Sequence, residues 1–220
     1  MKSCENLTNR ILKSILLPLF YLPPISWFAL FLQDDAEIVF EQYENFPKQT
    51  YRNRTNIYGA NGKLSLIIPM NHNGTRLLKE IQTSTREKWQ HIHWKSIKTA
   101  YQTSPYFEYY EDQLEQVFTF KTTSLVAFNL NALKIIQKLL KTEKAYSLNK
   151  EYIKEPESLN YRDQLSAKTI SSFEMESYYQ SFSDKYGYLK DLSIIDLLCN
   201  KGPEALTYIK NIKTNKNQYE

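Results

Sequence analysis

The chain has 220 residues, 42% of them hydrophobic and 24% charged, with a formal net charge of +4. A chain of this length buries a core without needing disulfides or metals, and fits one ordinary globular unit. Charges of both signs are interspersed, so the concentrated basic stripe of a nucleic-acid binder is absent and nucleic acid is set aside as a partner. Cys4 and Cys199 fit no metal-ligand or redox spacing. Cys199, in the apolar run "LSIIDLLCN", reads as a buried free thiol, a usage that suits a reducing, cytoplasmic location.

From Ser14 to Gln33 there is no charge at all. A membrane helix needs roughly 20 such residues, but Pro18, Pro23 and Pro24 interrupt the run, and each proline removes a backbone donor and clashes with the preceding turn. The continuation "SWFALFLQDD" is bulky and then acidic, unlike a signal-peptide cleavage site. Cys4 has no apolar run before it and is not a lipidation site. The run therefore predicts a buried strand "SILLPLF", a rigid turn "YLPP" and an apolar helix "ISWFALFLQ", without stable membrane insertion. A second strand, "AEIVFEQY", follows, with Val39, Glu41 and Tyr43 on one face and Ile38, Phe40 and Gln42 on the other.

Asn61-Gly62 sits between alternating segments and predicts a hairpin, because both residues accept positive φ. In "REKWQHIHWKSIKTAY" the residues Trp89, His93, Ile97 and Ala100 share one helical face. His91 lies opposite, so "HIH" does not chelate a metal. His72 and His91 read as surface residues. Ser104 and Pro105 predict a helix start at "SPYFEYYEDQLEQVF". "SLVAFNLNALKIIQKLLK" is amphipathic along Leu125, Phe128, Ala132, Ile136 and Leu139, and "KAYSLN" reads as one more strand. Ser193 caps a helix that Gly202 stops, and Pro203 opens the next.

These elements predict an α/β fold: a small mixed sheet flanked by helices, with a mainly helical C-terminal half. One domain is expected over 1–220. The site-bearing α/β half spans 14–110 and the helical half 111–212. Between 150 and 175 periodicity fades into a loop of the length that often forms a lid or is mobile.

Several pieces, taken in order, resemble the WbqC-like family: "YLPPISWF", "AEIVFEQYENFPKQTYRNR", "ANGKLSLIIP", the His93-Trp94 pair with Tyr101, and "SPYFEYY". The tail "YYQSFSDKYGYLKDLSIIDLLCNKGPEAL" resembles the Bacteroidetes-type branch. The resemblance implies bacterial O-antigen and surface-glycan gene clusters. Other branches carry His-Gln-Pro before the turn, where this chain reads Leu17-Pro18-Leu19.

The chemistry concentrates in "YRNR". On a strand, Arg52 and Arg54 share a face and can grip one carboxylate or phosphate, with Lys48 adding a third charge. The alternative is a structural ion pair, for instance with Glu41. Glu41, at the carboxyl end of the second strand, is either a desolvated general base or the partner of those arginines. His93 is either a proton acceptor or a hydrogen-bonded core histidine. Tyr21, Trp27, Tyr43, Trp94, Tyr101 and Tyr106 supply ring faces for a sugar or nucleobase, though most such rings belong to a core. No P-loop, nucleophile elbow, Gly-x-Gly-x-x-Gly turn or Asp-x-Asp pair is present, and five glycines leave little room for a phosphate cradle. No metal is expected, no cofactor is specified, and the sequence leaves the oligomeric state open. By resemblance, the expectation is a cytoplasmic transferase moving an acyl or aminoacyl group onto an amino sugar. The alternative is a non-catalytic module that holds a sugar, sugar nucleotide or glycan intermediate.

Overall fold

The uncharged run is interior structure in the computed structural model, which describes residues 13–71, 74–156, 159–169 and 171–214. The expectations for Cys4 and His72 fall outside those residues. Strand β1 (Lys13–Pro18), helix α1 (Ile25–Phe31) and strand β2 (Ala36–Glu41) follow one another, and β1 and β2 pair in parallel from Lys13–Ala36 to Pro18–Glu41. Ile15, Leu16 and Leu17 are fully buried in succession, the unbroken apolar pattern that a strand covered on both faces requires. Every residue of α1 is buried. No described helix is long and apolar enough to cross a membrane.

The turn between β1 and α1 contains Leu22 at φ 41, an unusual backbone for a branched residue. Its carbonyl accepts from the Thr55 hydroxyl at 2.7 Å and the Ser193 hydroxyl at 3.1 Å, so distant segments hold the turn closed. Trp27 donates its indole N–H to the Pro18 carbonyl at 2.8 Å and stacks on Phe31 and Phe40. This aromatic layer fixes α1 against the sheet.

The expected hairpin forms from β3 (Arg54–Gly59) and β4 (Gly62–Ile67), antiparallel and separate from the main sheet, but it turns at Ala60-Asn61, and of the Asn61-Gly62 pair only Gly62 takes a positive φ, of 93°. Helices α2 (Trp89–Tyr101), α3 (Phe107–Thr119) and α4 (Leu125–Leu139) follow. Ser124 caps α4, its hydroxyl accepting from the Ala127 N–H. Ser104, by contrast, does not cap α3. Its hydroxyl donates to the Tyr101 carbonyl and closes α2, so α3 begins only at Phe107.

Strand β5 (Tyr146–Leu148) joins the outer edge of β2. Inside the segment read as a loop, Leu159–Asn160 forms a short strand, β6, on the outer edge of β1. The main sheet therefore has the order β5-β2-β1-β6, all parallel. The mixed α/β class stands, but parallel and antiparallel pairings are divided between two sheets. The remaining helices are α5 (Ser183–Tyr186), α6 (Ile194–Lys201) and α7 (Ala205–Asn211). Cys199 is buried in α6. Between α6 and α7, Gly202 has φ 54, and a Cβ there would lie 2.4 Å from the Tyr106 ring, so only glycine fits without displacing that ring.

Candidate functional site

Chain order in the main sheet runs outward from β1 through β2 to β5, then returns to the far side of β1 as β6. Succession reverses between β1 and β6, and in open parallel sheets the loops leaving the carboxyl ends part at such a point. Buried charged residues gather at this end. Glu41 closes β2, Asn149 follows β5, and Arg162 follows β6.

Glu41 is fully buried. Its Oε1 accepts from the Tyr43 N–H at 2.7 Å and from Asn149 Nδ2 at 2.5 Å, and its Oε2 accepts from Arg162 at 3.4 Å. Arg162 is itself buried, with its Nε held by Asn160 at 3.1 Å and its guanidinium over the Tyr152 ring. Beside this pair, Arg52 grips Glu44 bidentately, Nε to Oε1 at 2.5 Å and Nη2 to Oε2 at 2.8 Å. The same Nη2 also donates to the Arg162 carbonyl at 3.2 Å, which joins the two ion pairs. Burial raises the Glu44 carboxyl, the Arg52 bonds pull it back, and the charge of Glu41 adds to the upward push.

The expected Arg52/Arg54 face does not form a common grip. The strand begins only at Arg54, and Arg52 lies in the turn before it. The ion pair of Glu41 is with Arg162, and that of Arg52 is with Glu44. No described group accepts a hydrogen bond from Arg54, whose Nε is shielded from solvent. Lys48 is exposed. Tyr43 is half-buried beside Glu41, with the Lys79 ammonium over its ring at 4.2 Å.

His93 is buried on α2, in the company of Tyr21 and Trp89. Its Nδ1 lies 2.9 Å from the Tyr21 hydroxyl and its ring also bonds to the Ile67 backbone. Burial lowers its pKa to about 4, so the imidazole is neutral at physiological pH. Its hydrogen-bond partners all lie outside the Glu41–Arg162 network. Trp27 is core. Trp94 packs between Phe107 and Phe118. Tyr106 abuts Gly202.

Tyr101 enters a second buried polar group. Its hydroxyl donates to Asp196 at 3.0 Å and accepts from the Tyr58 N–H at 3.1 Å. Tyr178 at 2.6 Å and Gln180 at 2.9 Å complete the donors around Asp196, which is fully buried and pushed up to about 6 by desolvation. These neutral donors tie α2, β3, α6 and the 178–180 segment together. Asp196, on the helix that Ser193 caps, is their common acceptor.

Glu44, Asn149 and Arg162 were not among the sequence-predicted site residues. Glu44 had a signal, standing three residues after Glu41 in "EQYENF". Arg162 had none, because it lies where periodicity fades. Two open clefts, of about 440 Å³ beside Leu64 and Ile92 and about 320 Å³ beside Tyr106 and Tyr109, include no member of the Glu41–Arg162 network. Among the described residues no cluster of His, Cys, Asp or Glu has the makings of a metal site.

The fold and these charges can now be set against known proteins. No solved structure matches this chain. A relative from Mycobacterium tuberculosis (strain ATCC 25618 / H37Rv), described as "Uncharacterized protein Rv1507c", is 24% identical over an alignment covering 86% of this chain and 94% of the relative. The model of the WbqC-like protein family matches residues 20–180, which takes in the YLPP turn, Glu41, Glu44, both arginines of "YRNR" and Arg162. The chain therefore belongs to the WbqC-like protein family.

Proposed function

We propose that the carboxyl ends of β1, β2, β5 and β6 form the reaction centre of a surface-glycan transferase that moves an acyl or aminoacyl group onto an amino sugar. The observation that carries this reading is the meeting of Glu41, Asn149 and Arg162, from the ends of β2, β5 and β6 in one sheet, across the end of β1 where strand order reverses. In the reaction, the sugar amine attacks the acyl carbonyl, the new C–N bond forms, and the donor's leaving group departs with the bonding electrons. The amine proton passes to Glu41 Oε2, whose contact with Arg162 is the longest of its bonds at 3.4 Å. Asn149 holds the other oxygen and fixes the orientation of the carboxylate. Arg162, relieved of that contact, faces the negative charge that develops on the carbonyl oxygen.

His93 is committed to Tyr21 and Ile67, so this reading gives proton acceptance to Glu41. Tyr43 and Lys48 stay as proposed sugar contacts, with Tyr43 nearest in sequence to the base, whereas the rings of Trp94 and Tyr106 are engaged elsewhere.

A second reading, a non-catalytic holder of a sugar or sugar nucleotide, is favoured by one observation. Glu41 Oε1 is already fully engaged by Tyr43 and Asn149. The two readings separate by mass analysis of products from amino-sugar acceptors and acyl donors. The expected result is product from the native chain and at least a hundredfold less, as removal of a general base predicts, from a folded Glu41→Gln variant. Ligand binding without product from any donor–acceptor pair would favour the holder.

A further inference from the structure

Arg52 and Arg162 both spend their guanidinium groups on buried carboxylates, whereas Arg54 has no acceptor among the described residues and a solvent-shielded Nε. An arginine that is half-buried without a partner is costly unless something else supplies the acceptor. Its surroundings point to what that is. Alternation along β3 puts Arg54 and Asn56 on one face, and the register sets Ile67 opposite Arg54 and Ser65 opposite Asn56. Both residues on β4 are exposed while Asn56 is buried, so this face meets solvent along its β4 side.

Asn56 is satisfied on both sides. Its Oδ1 accepts from the Ser65 hydroxyl at 2.6 Å, and its Nδ2 donates to the Tyr51 hydroxyl oxygen at 3.4 Å. The Tyr51 hydroxyl thus receives a bond but gives none to any described residue. The hydroxyl keeps its proton, because burial and then the nearby charge of Asp191 push its pKa up to about 12. Asp191 is itself engaged, its Oδ1 accepting from the Ser26 N–H at 2.8 Å. The face therefore offers a planar fork of N–H donors and a neutral O–H donor, with no carboxylate bonded to either.

We propose that half-buried Arg54 and the Tyr51 hydroxyl, buried against Asn56, form an oxyanion subsite reached from the β4 side of the hairpin, which takes the carboxylate or phosphate carried by a sugar ring. The fork suits two oxygens of one anion, and the phenol supplies a third bond. This deepens the transferase reading by naming the charge class of its substrate, and it rests on that reading only for the word substrate.

Calorimetric titration of the full chain with glucose 1-phosphate, glucuronate and glucose tests the proposal. One or both anions are expected to bind in the millimolar range or tighter, and glucose not at all; the two anionic arms tell phosphate from carboxylate. Arg54→Gln should weaken binding by at least about tenfold, Arg54→Lys by less, and Tyr51→Phe by about threefold to tenfold. Thermal melting checks folding of each variant, and Arg54→Lys serves where Arg54→Gln melts early. Equal binding of all three sugars, binding of none, or anion binding unchanged in Arg54→Gln would each overturn the subsite. Glu41→Gln separates the two claims: it should keep anion binding while losing product. Anion binding intact in a native chain that makes no product would sink the transferase reading and leave the subsite standing.

Discussion

Glu41 and Asp196 are both fully buried carboxylates, and the fold accommodates them in opposite ways. Glu41 lies beside two guanidinium groups and a second carboxylate, Glu44, so its desolvation is met by opposite charge. Asp196 has two phenols and an amide, all neutral, and pays for burial by a higher affinity for its proton. The contrast teaches that burial alone does not mark a functional carboxylate. On the proposed reading, counter-charges at a reversal of strand order leave groups that a ligand can exchange, whereas a ring of neutral donors on packed elements makes an anchor.

The sharpest way to break this contrast is to take a charge from the first group. Arg52→Met should cost about 3–5 kcal/mol, the range for orphaning one partner of a buried pair, as measured by urea unfolding at neutral pH. The deficit should shrink on acidification, because Glu44 then takes a proton and no longer needs the arginine. A loss below about 1 kcal/mol would mean that the pair behaves like a surface contact.

The second group is sharpened by pH. Asp196 titrates near 6 in the folded chain against an ordinary 3.8, so the folded state retains a proton that the unfolded state has released. Stability therefore falls as pH rises through that window, by about 3 kcal/mol in all. His93 acts in the other direction. Its pKa is lowered to about 4 from 6.5, so acidification through that range favours the unfolded chain by a similar amount. The two slopes oppose each other between pH 4 and 6. Asp196→Asn should unmask a stability curve that rises with pH, and His93→Gln one that falls, both read from melting temperature against pH. Parallel curves in the two variants would contradict the assignment.

The smallest expected effect concerns the His93 anchor. Tyr21→Phe removes the partner 2.9 Å from Nδ1 and should cost about 1–3 kcal/mol, the penalty for a buried polar group left unpaired. It should leave the product rate of the native chain unchanged, since Tyr21 lies outside the Glu41–Arg162 network. A rate loss larger than the fraction unfolded would return His93 to the chemistry.

Much of the scaffold was legible in the residues themselves. The uncharged run with three prolines read best as interior strand, turn and helix, because proline interrupts a continuous helix and charge is absent. Asn61-Gly62 marked the hairpin, where Gly62 alone takes the positive φ, and the apolar stripe from Leu125 to Leu139 set α4. Periodicity and turn chemistry act within a few residues, so a single segment records them. Glu41 at a strand end was legible for the same reason.

What only the tertiary structure decided was the company each charge keeps. That Arg52 turns to Glu44, that Arg162 arrives beside Glu41 from 121 positions away, and that Arg54 is left without an acceptor depend on strands pairing across long separations. A guanidinium group takes the carboxylate that folding brings within reach, and local sequence carries no record of that distance. The sequence by itself therefore determined the elements and which residues bear charge. The order of the parallel strands, through long-range pairing that buries their apolar runs, determined which of those charges meet.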